Sequence, residues 1–126
     1  MTAKILIVED EYILALNFAK YLSTIGFNVL CADNGNKAIE TAIEFKPDLI
    51  LMDINLRGDI NGIEAATKIK ENYNIPVVYI SAHLEESILK GAKETESFEY
   101  ISKPVIEEDL KDKVELVLHK QENIKK

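Results

Sequence analysis

The 126-residue chain is 47% hydrophobic and 29% charged, which suits one soluble domain with a real core. Its formal net charge of −7 argues against direct contact with nucleic acid, which needs a surplus of Lys and Arg, and no basic stripe precedes the short tail. No stretch nears the roughly 20 apolar residues of a membrane span, and the first apolar run is too short for a signal-peptide core, so a cytoplasmic location without membrane contact is expected.

Ile5-Leu-Ile-Val8 is a short apolar run that ends in Glu9-Asp10-Glu11. A first helix is expected from about Glu11, because acidic residues favour the positive end of a helix dipole. Its apolar face is Leu14, Phe18, Tyr21, Leu22 and Ile25, and Gly26 is its stop. A second strand, Asn28–Ala32, holds the single cysteine, Cys31, which reads as a buried structural thiol. Asp33-Asn34-Gly35 leads to a helix carrying Ala38, Ile39, Ala42, Ile43 and Phe45, which ends before Pro47. The third strand, Leu49–Met52, runs into Asp53.

The stretch from Asp53 to Gly62 is polar and turn-rich, so an exposed loop is expected before a helix with Ile63, Ala66, Ile69 and Tyr73 inward. Pro76 opens a fourth strand, Val77–Ile80, followed by Ser81. Residues 84–92 carry only a thin apolar stripe of Leu84, Ile88 and Ala92, which predicts a loosely held fourth helix. In the fifth strand, Phe98–Ser102, Tyr100 reads as half-buried packing. Lys103-Pro104 follows, and then a last helix with Leu110, Val114, Val117 and Leu118 at i, i+4, i+7, i+8. Residues 1–120 are read as one domain and 121–126 as frayed helix or tail.

Five strands alternating with five helices predict a doubly wound parallel α/β sheet. The order 2-1-3-4-5, expected here, is that of the known flavodoxin-like type, which includes a chemotaxis protein, and is taken from that likeness as much as deduced. Ligands in such sheets bind beyond the carboxyl ends of the strands, where Glu9, Asp10, Asp53, Ser81 and Lys103 converge. Adjacent carboxylates repel, and a divalent cation resolves the repulsion. Oxygen ligands without Cys or His favour Mg²⁺. Asp10 and Asp53 are the expected direct ligands, with Glu9 acting through water and the Asn55 backbone carbonyl as a further ligand; His83 and His119 are too isolated for a metal. Once its charge is screened, Asp53 can act as a nucleophile toward phosphorus. The Lys103 ammonium can then neutralise one phosphoryl oxygen while the Ser81 hydroxyl donates to another.

Taken singly, each residue also has an ordinary role: Asp and Ser after strands cap helices, and a Lys at an edge is usually solvated. The combination at strand ends carries the functional reading. Together, Ile-Leu-Ile-Val-Glu9-Asp10-Glu11, Asp48-Leu-Ile-Leu-Met-Asp53, Gly62, Ser81-Ala82 and Tyr100-Ile-Ser-Lys103-Pro104 resemble the receiver (phosphoacceptor) domain of two-component response regulators, including the chemotaxis response regulator. The resemblance runs from about Ala3 to Lys120.

It implies that Asp53 takes a phosphoryl group from the phosphohistidine of a sensor histidine kinase or histidine phosphotransfer protein, with Mg²⁺ held by Glu9, Asp10 and Asp53. It also implies that Ser81 shifts toward the phosphoryl group and Tyr100 turns inward. The surface of the fourth helix, fifth strand and fifth helix is thereby remodelled for a downstream effector protein or domain, and a phosphorylation-dependent homodimer stays open. A cis peptide is implied between Lys103 and Pro104, and Asn55 and His83 stand where phosphoryl lifetime is influenced. The departures are Glu9 for the commoner Asp, Ser81 for Thr and Val105 for Phe, with a loop before Gly62 about one residue longer than usual and lacking its proline.

The chain is expected to catalyse only its own phosphorylation and dephosphorylation. A Mg²⁺-dependent phosphohydrolase needs a second acid two residues beyond the nucleophile, where Asn55 stands. A phosphate-independent receiver is opposed by the intact Asp10, Asp53, Ser81 and Lys103, and a nucleotide-binding protein by the lack of a Gly-rich loop after the first strand. No effector sequence follows the last helix, which leaves a stand-alone receiver or one excised from a larger regulator or hybrid kinase.

Overall fold

The computed structural model describes residues 2–82 and 99–125. The five apolar runs become strands β1 (Lys4–Val8), β2 (Asn28–Ala32), β3 (Leu49–Asp53), β4 (Val77–Ser81) and β5 (Glu99–Ser102). They form one parallel sheet in the order β2-β1-β3-β4-β5. Between and after them lie α1 (Tyr12–Thr24), α2 (Gly35–Phe45), α3 (Gly62–Lys70) and the C-terminal helix (Glu107–Lys125). The last of these continues through positions read as frayed helix or tail. The expected helix over 84–92, Phe98 and His83 lie outside the described residues.

The period of two along each strand divides the core. Leu6, Val8, Ile50, Met52, Val77 and Tyr79 face α2 and α3, where Ala38, Ala42, Ala65 and Ala66 keep the helices close to the sheet. Ile5, Ile7, Leu49, Leu51, Val78 and Ile80 face α1 and the C-terminal helix, packing on Phe18, Leu22, Leu110, Val114 and Val117. Every residue of β3 and β4 is buried, as befits central parallel strands covered on both faces. Each fully buried Leu or Ile contributes roughly 1.5–3 kcal/mol.

Helix ends follow local chemistry. Asn34 caps α2 by accepting the Lys37 N–H at 2.9 Å, and Lys46 closes that helix in the left-handed region at φ 51° before Pro47. Asn61 and Glu64 form a reciprocal capping box on α3, each bond 2.9 Å. Glu11 occupies the N-cap of α1 without a side-chain capping bond.

Four expectations differ from the structure. Cys31 is exposed, because β2 is an edge strand with a neighbour on one side only; its Sγ lies 4.0 Å from the Ala15 carbonyl oxygen, and partial burial pushes the thiol pKa up. Ile25 is the C-cap residue beyond the end of α1 and Ile43 lies at the margin of the α2 apolar arc, and both are exposed, while Ala15 on α1 and Ala65 on α3 join the core. In the loop after Asp53, Ile54 and Leu56 are buried in the core on the α2–α3 side of the sheet, so only part of that loop is solvent-facing. Tyr100 is exposed on β5 rather than half-buried.

Candidate functional site

Backbone pairing delivers the predicted residues to one edge. Val8 pairs with Met52 in register, and the Glu9 N–H donates to the Ala32 carbonyl at 3.1 Å, which fixes the turn after β1 beside the end of β3. Ser81 ends β4, and its carbonyl accepts the Lys103 N–H at 2.9 Å, which carries the Lys103-Pro104 segment, joined by a cis peptide, onto the same edge. Glu9, Asp53 and Ser81 are all buried.

One carboxylate oxygen from each of Glu9, Asp10 and Asp53 lies within 4.8 Å of the others. The Lys103 ammonium stands 3.0 Å from Glu9 Oε1 and 3.4 Å from Asp53 Oδ2. The approach to Glu9 is close but poorly aligned, and among the described residues Oε1 accepts no hydrogen bond. Glu9 Oε2 accepts the Glu11 N–H at 3.1 Å. Asp53 Oδ1 accepts the Asn55 N–H at 3.0 Å, an Asx-type turn that orients the carboxylate. Asn55 Nδ2 donates to Ser81 Oγ at 3.2 Å, tying the hydroxyl to the same turn.

The charges do not balance. Burial pushes the Glu9 carboxyl up to about 7, and the neighbouring Asp53 adds to this, against the opposing Glu11 N–H bond and the nearby Lys103 ammonium. Burial also acts upward on Asp10, but hydrogen bonds from the Arg57 side chain and backbone outweigh it and hold Asp10 below the usual range. For Lys103, burial acts downward, and the carboxylates of Glu9 and Asp53 overcome it to raise the ammonium's pKa. Three carboxylates against one partly buried ammonium and the solvated Arg57 guanidinium, with a buried carboxylate oxygen lacking a hydrogen bond, is a donor set that fits a hard divalent cation such as Mg²⁺.

Two contributors beyond that acidic set emerge. Arg57 donates both its backbone N–H and its Nε–H to Asp10 Oδ2, each at 3.0 Å; the only sequence signal was a lone cation in a loop opposite an acidic turn. Gly62, already part of the sequence motif, donates its N–H to the Ile54 carbonyl at 3.0 Å. A Cβ on Gly62 would collide with the Asp53 carbonyl oxygen and stand 3.0 Å from Ile54 Cα. Gly62→Ala is therefore expected to cost about 1–3 kcal/mol, read as a lowered urea midpoint at unchanged m-value. An unchanged midpoint would show that the backbone yields without cost. His83 lies outside the described residues, and Tyr100 is exposed on β5.

An acidic pocket at the switch point of a 2-1-3-4-5 sheet defines a flavodoxin-like receiver architecture. Residues 5–115 match the response regulator receiver domain, and the chain belongs to that family. It is 35% identical over 117 residues to the response regulator protein VraR of Staphylococcus aureus, covering 90% of this chain and 56% of VraR. It is 32% identical over 117 residues to the transcriptional regulatory protein PdtaR of Mycobacterium tuberculosis, covering 91% of this chain and 56% of PdtaR. Among solved structures, the N-terminal domain of a response regulator/sensory box/GGDEF 3-domain protein from Carboxydothermus hydrogenoformans superposes with a TM-score of 0.90 at 34% identity, covering 98% of this chain and 99% of that one. The chain spans about half the length of the curated relatives it matches. No described helix is long and apolar enough to cross a membrane.

Proposed function

We propose that this chain is a two-component signalling switch, a cytoplasmic receiver over residues 1–120, in which Asp53 accepts a phosphoryl group from the phosphohistidine of a sensor histidine kinase or histidine phosphotransfer protein. The observation that carries this reading is the buried Asp53 carboxylate, flanked by Glu9 and Asp10 and faced by the Lys103 ammonium at 3.4 Å. An Asp53 carboxylate oxygen attacks phosphorus, and the new P–O bond forms as the P–N bond breaks. The imidazole nitrogen keeps the electron pair and, with its other ring nitrogen protonated, leaves as neutral imidazole.

Glu9, Asp10 and Asp53, with the Asn55 backbone carbonyl, would hold Mg²⁺, which neutralises charge on the carboxylates and on the phosphoryl oxygens. Lys103 is placed to neutralise a phosphoryl oxygen, and Ser81 Oγ exchanges its Asn55 partner for another phosphoryl oxygen. Tyr100, 41% exposed on β5, then turns inward. The surface of residues 84–92, β5 and the C-terminal helix is thereby switched for a downstream effector protein or domain, or for a phosphorylation-dependent homodimer. Asn55 and His83 set the phosphoryl lifetime. The chain catalyses only its own phosphorylation and dephosphorylation.

The test is intact mass after incubation with Mg²⁺ and a small acyl phosphate. One phosphoryl adduct is expected, absent from Asp53→Asn and from a metal-free control. An adduct that persists in Asp53→Asn would move the acceptor elsewhere, and a folded, metal-bound wild type without adduct would favour a phosphate-independent role.

A further inference from the structure

Asp10 closes the acidic turn after β1, and its Oδ2 is held twice by a single residue. The Arg57 backbone N–H and Nε–H both donate to that oxygen at 3.0 Å. The partners are unequally placed: the Asp10 side chain is 13% exposed, whereas that of Arg57 is 79% exposed. The carboxylate is thus fixed beside Glu9 and Asp53, while the guanidinium reaches it from a solvated loop. Gly58, at φ 115°, turns the chain immediately after it.

A divalent cation gathered by Glu9, Asp10 and Asp53 would share one carboxylate with the guanidinium, and two cations at that separation repel. Arg57 can yield without opening a cavity, because almost all of its side chain is already in water. The buried carboxylates cannot. We propose that Arg57 is a built-in counter-ion for Asp10 that competes with the divalent cation, so that metal binding releases the guanidinium into solvent.

This inference rests on the metal-site reading above and adds a residue that regulates it. Metal occupancy and loop charge become linked: the loop after β3 presents a free cation at the pocket mouth only when the site is loaded. By reciprocity, anything that draws Arg57 away from Asp10 tightens the metal. A residue that instead orients Asp10 as an outer partner of the metal would have the opposite sign, because its loss weakens binding.

The experiment is a calorimetric Mg²⁺ titration of the full chain as wild type, Arg57→Ala and Asp10→Asn. Arg57→Ala is expected to tighten Mg²⁺ roughly two- to fivefold, the range an exposed ion pair supplies. Unchanged or weaker binding in Arg57→Ala overturns the proposal. The ¹⁵N spectrum provides a second readout: the Arg57 Nε–H resonance shifts and exchanges faster as Mg²⁺ saturates, and an unmoved resonance overturns the proposal as well. Asp10→Asn separates the two levels of inference. If it binds Mg²⁺ as tightly as wild type, the metal-site reading itself falls. If it binds weakly while Arg57→Ala changes nothing, only the role of Arg57 is lost.

Discussion

Replacing Lys103 with Met is expected to slow phosphorylation of Asp53 by about 10²–10³-fold, the usual cost of removing one positioned charge donor in group transfer. It should simultaneously tighten Mg²⁺ binding. The ammonium lies 3.0 Å from Glu9 Oε1 and 3.4 Å from Asp53 Oδ2, so it is the partly buried cation facing both of these carboxylates. Its loss leaves more negative charge for a divalent ion to collect, but removes the group proposed to neutralise the transferred phosphoryl oxygens. A rate defect alone would also follow from general damage. Tighter metal with slower transfer would not.

The metal-free variant should also unfold more easily, because the buried Glu9 and Asp53 carboxylates lose their partner; the partly exposed Lys103 side chain keeps the cost below the about 3–5 kcal/mol of a fully buried pair. Proton uptake by Glu9, whose pKa already lies near 7, lessens that cost near neutrality. Initial rates of adduct formation by mass spectrometry, Mg²⁺ calorimetry and urea denaturation in chelator check the three parts. An unaltered rate would remove Lys103 from the chemistry.

The sequence made the sheet legible because the signal is redundant: an apolar run between helical patterns reads as a buried parallel strand wherever it sits in the order. Ile5–Val8 and Val77–Ile80 fall inside observed strands, and Asn28–Ala32 coincides with β2. What periodicity does not encode is position within the sheet. Cys31 is apolar-flanked and reads as core, yet it belongs to the edge strand, where one flank has no neighbour to cover it. Ile43 shows the same limit on a helix, since a 3.6-residue period gives the direction of the buried face but not its width, and Ile25 shows that the period does not mark the last turn either.

The candidate site was legible wherever a chemical group stands directly at a strand end, as Glu9, Asp10, Asp53 and Ser81 do. It was opaque in the loop from Asp53 to Gly62, whose composition suggested uniform exposure. There the backbone sorts side chains one by one: Ile54 and Leu56 turn into the core, and Asn55 bonds to Asp53 and Ser81. Arg57 folds back on Asp10. Such sorting depends on the chain's path after β3, which has no period to read.

Glu9 makes the metal-free protein sensitive to pH in a window of its own. Its carboxyl titrates near 4.5 when unperturbed and near 7 in the folded state, so between these values the folded chain binds more protons than the unfolded chain. Stability therefore falls as pH rises from about 4.5 to about 7, by on the order of 3 kcal/mol, and levels off above. The other shifted groups act elsewhere. Lys103, raised above its ordinary value, contributes stability that is fully present below that ordinary alkaline value and is lost only above it. Asp10 and Glu99, held low, contribute stability present above their ordinary acidic values and lost only as pH falls through their lowered ones. Urea denaturation in chelator at pH 5 and pH 7.5 should thus show wild type weaker at the higher pH, with the difference largely abolished in Glu9→Gln. Saturating Mg²⁺ should act the other way, because it binds the deprotonated carboxylate and gains affinity as pH rises. Equal pH sensitivity in wild type and Glu9→Gln would mean that Glu9 is ionised throughout this range, and the strain that a metal is needed to relieve would have to lie in another group.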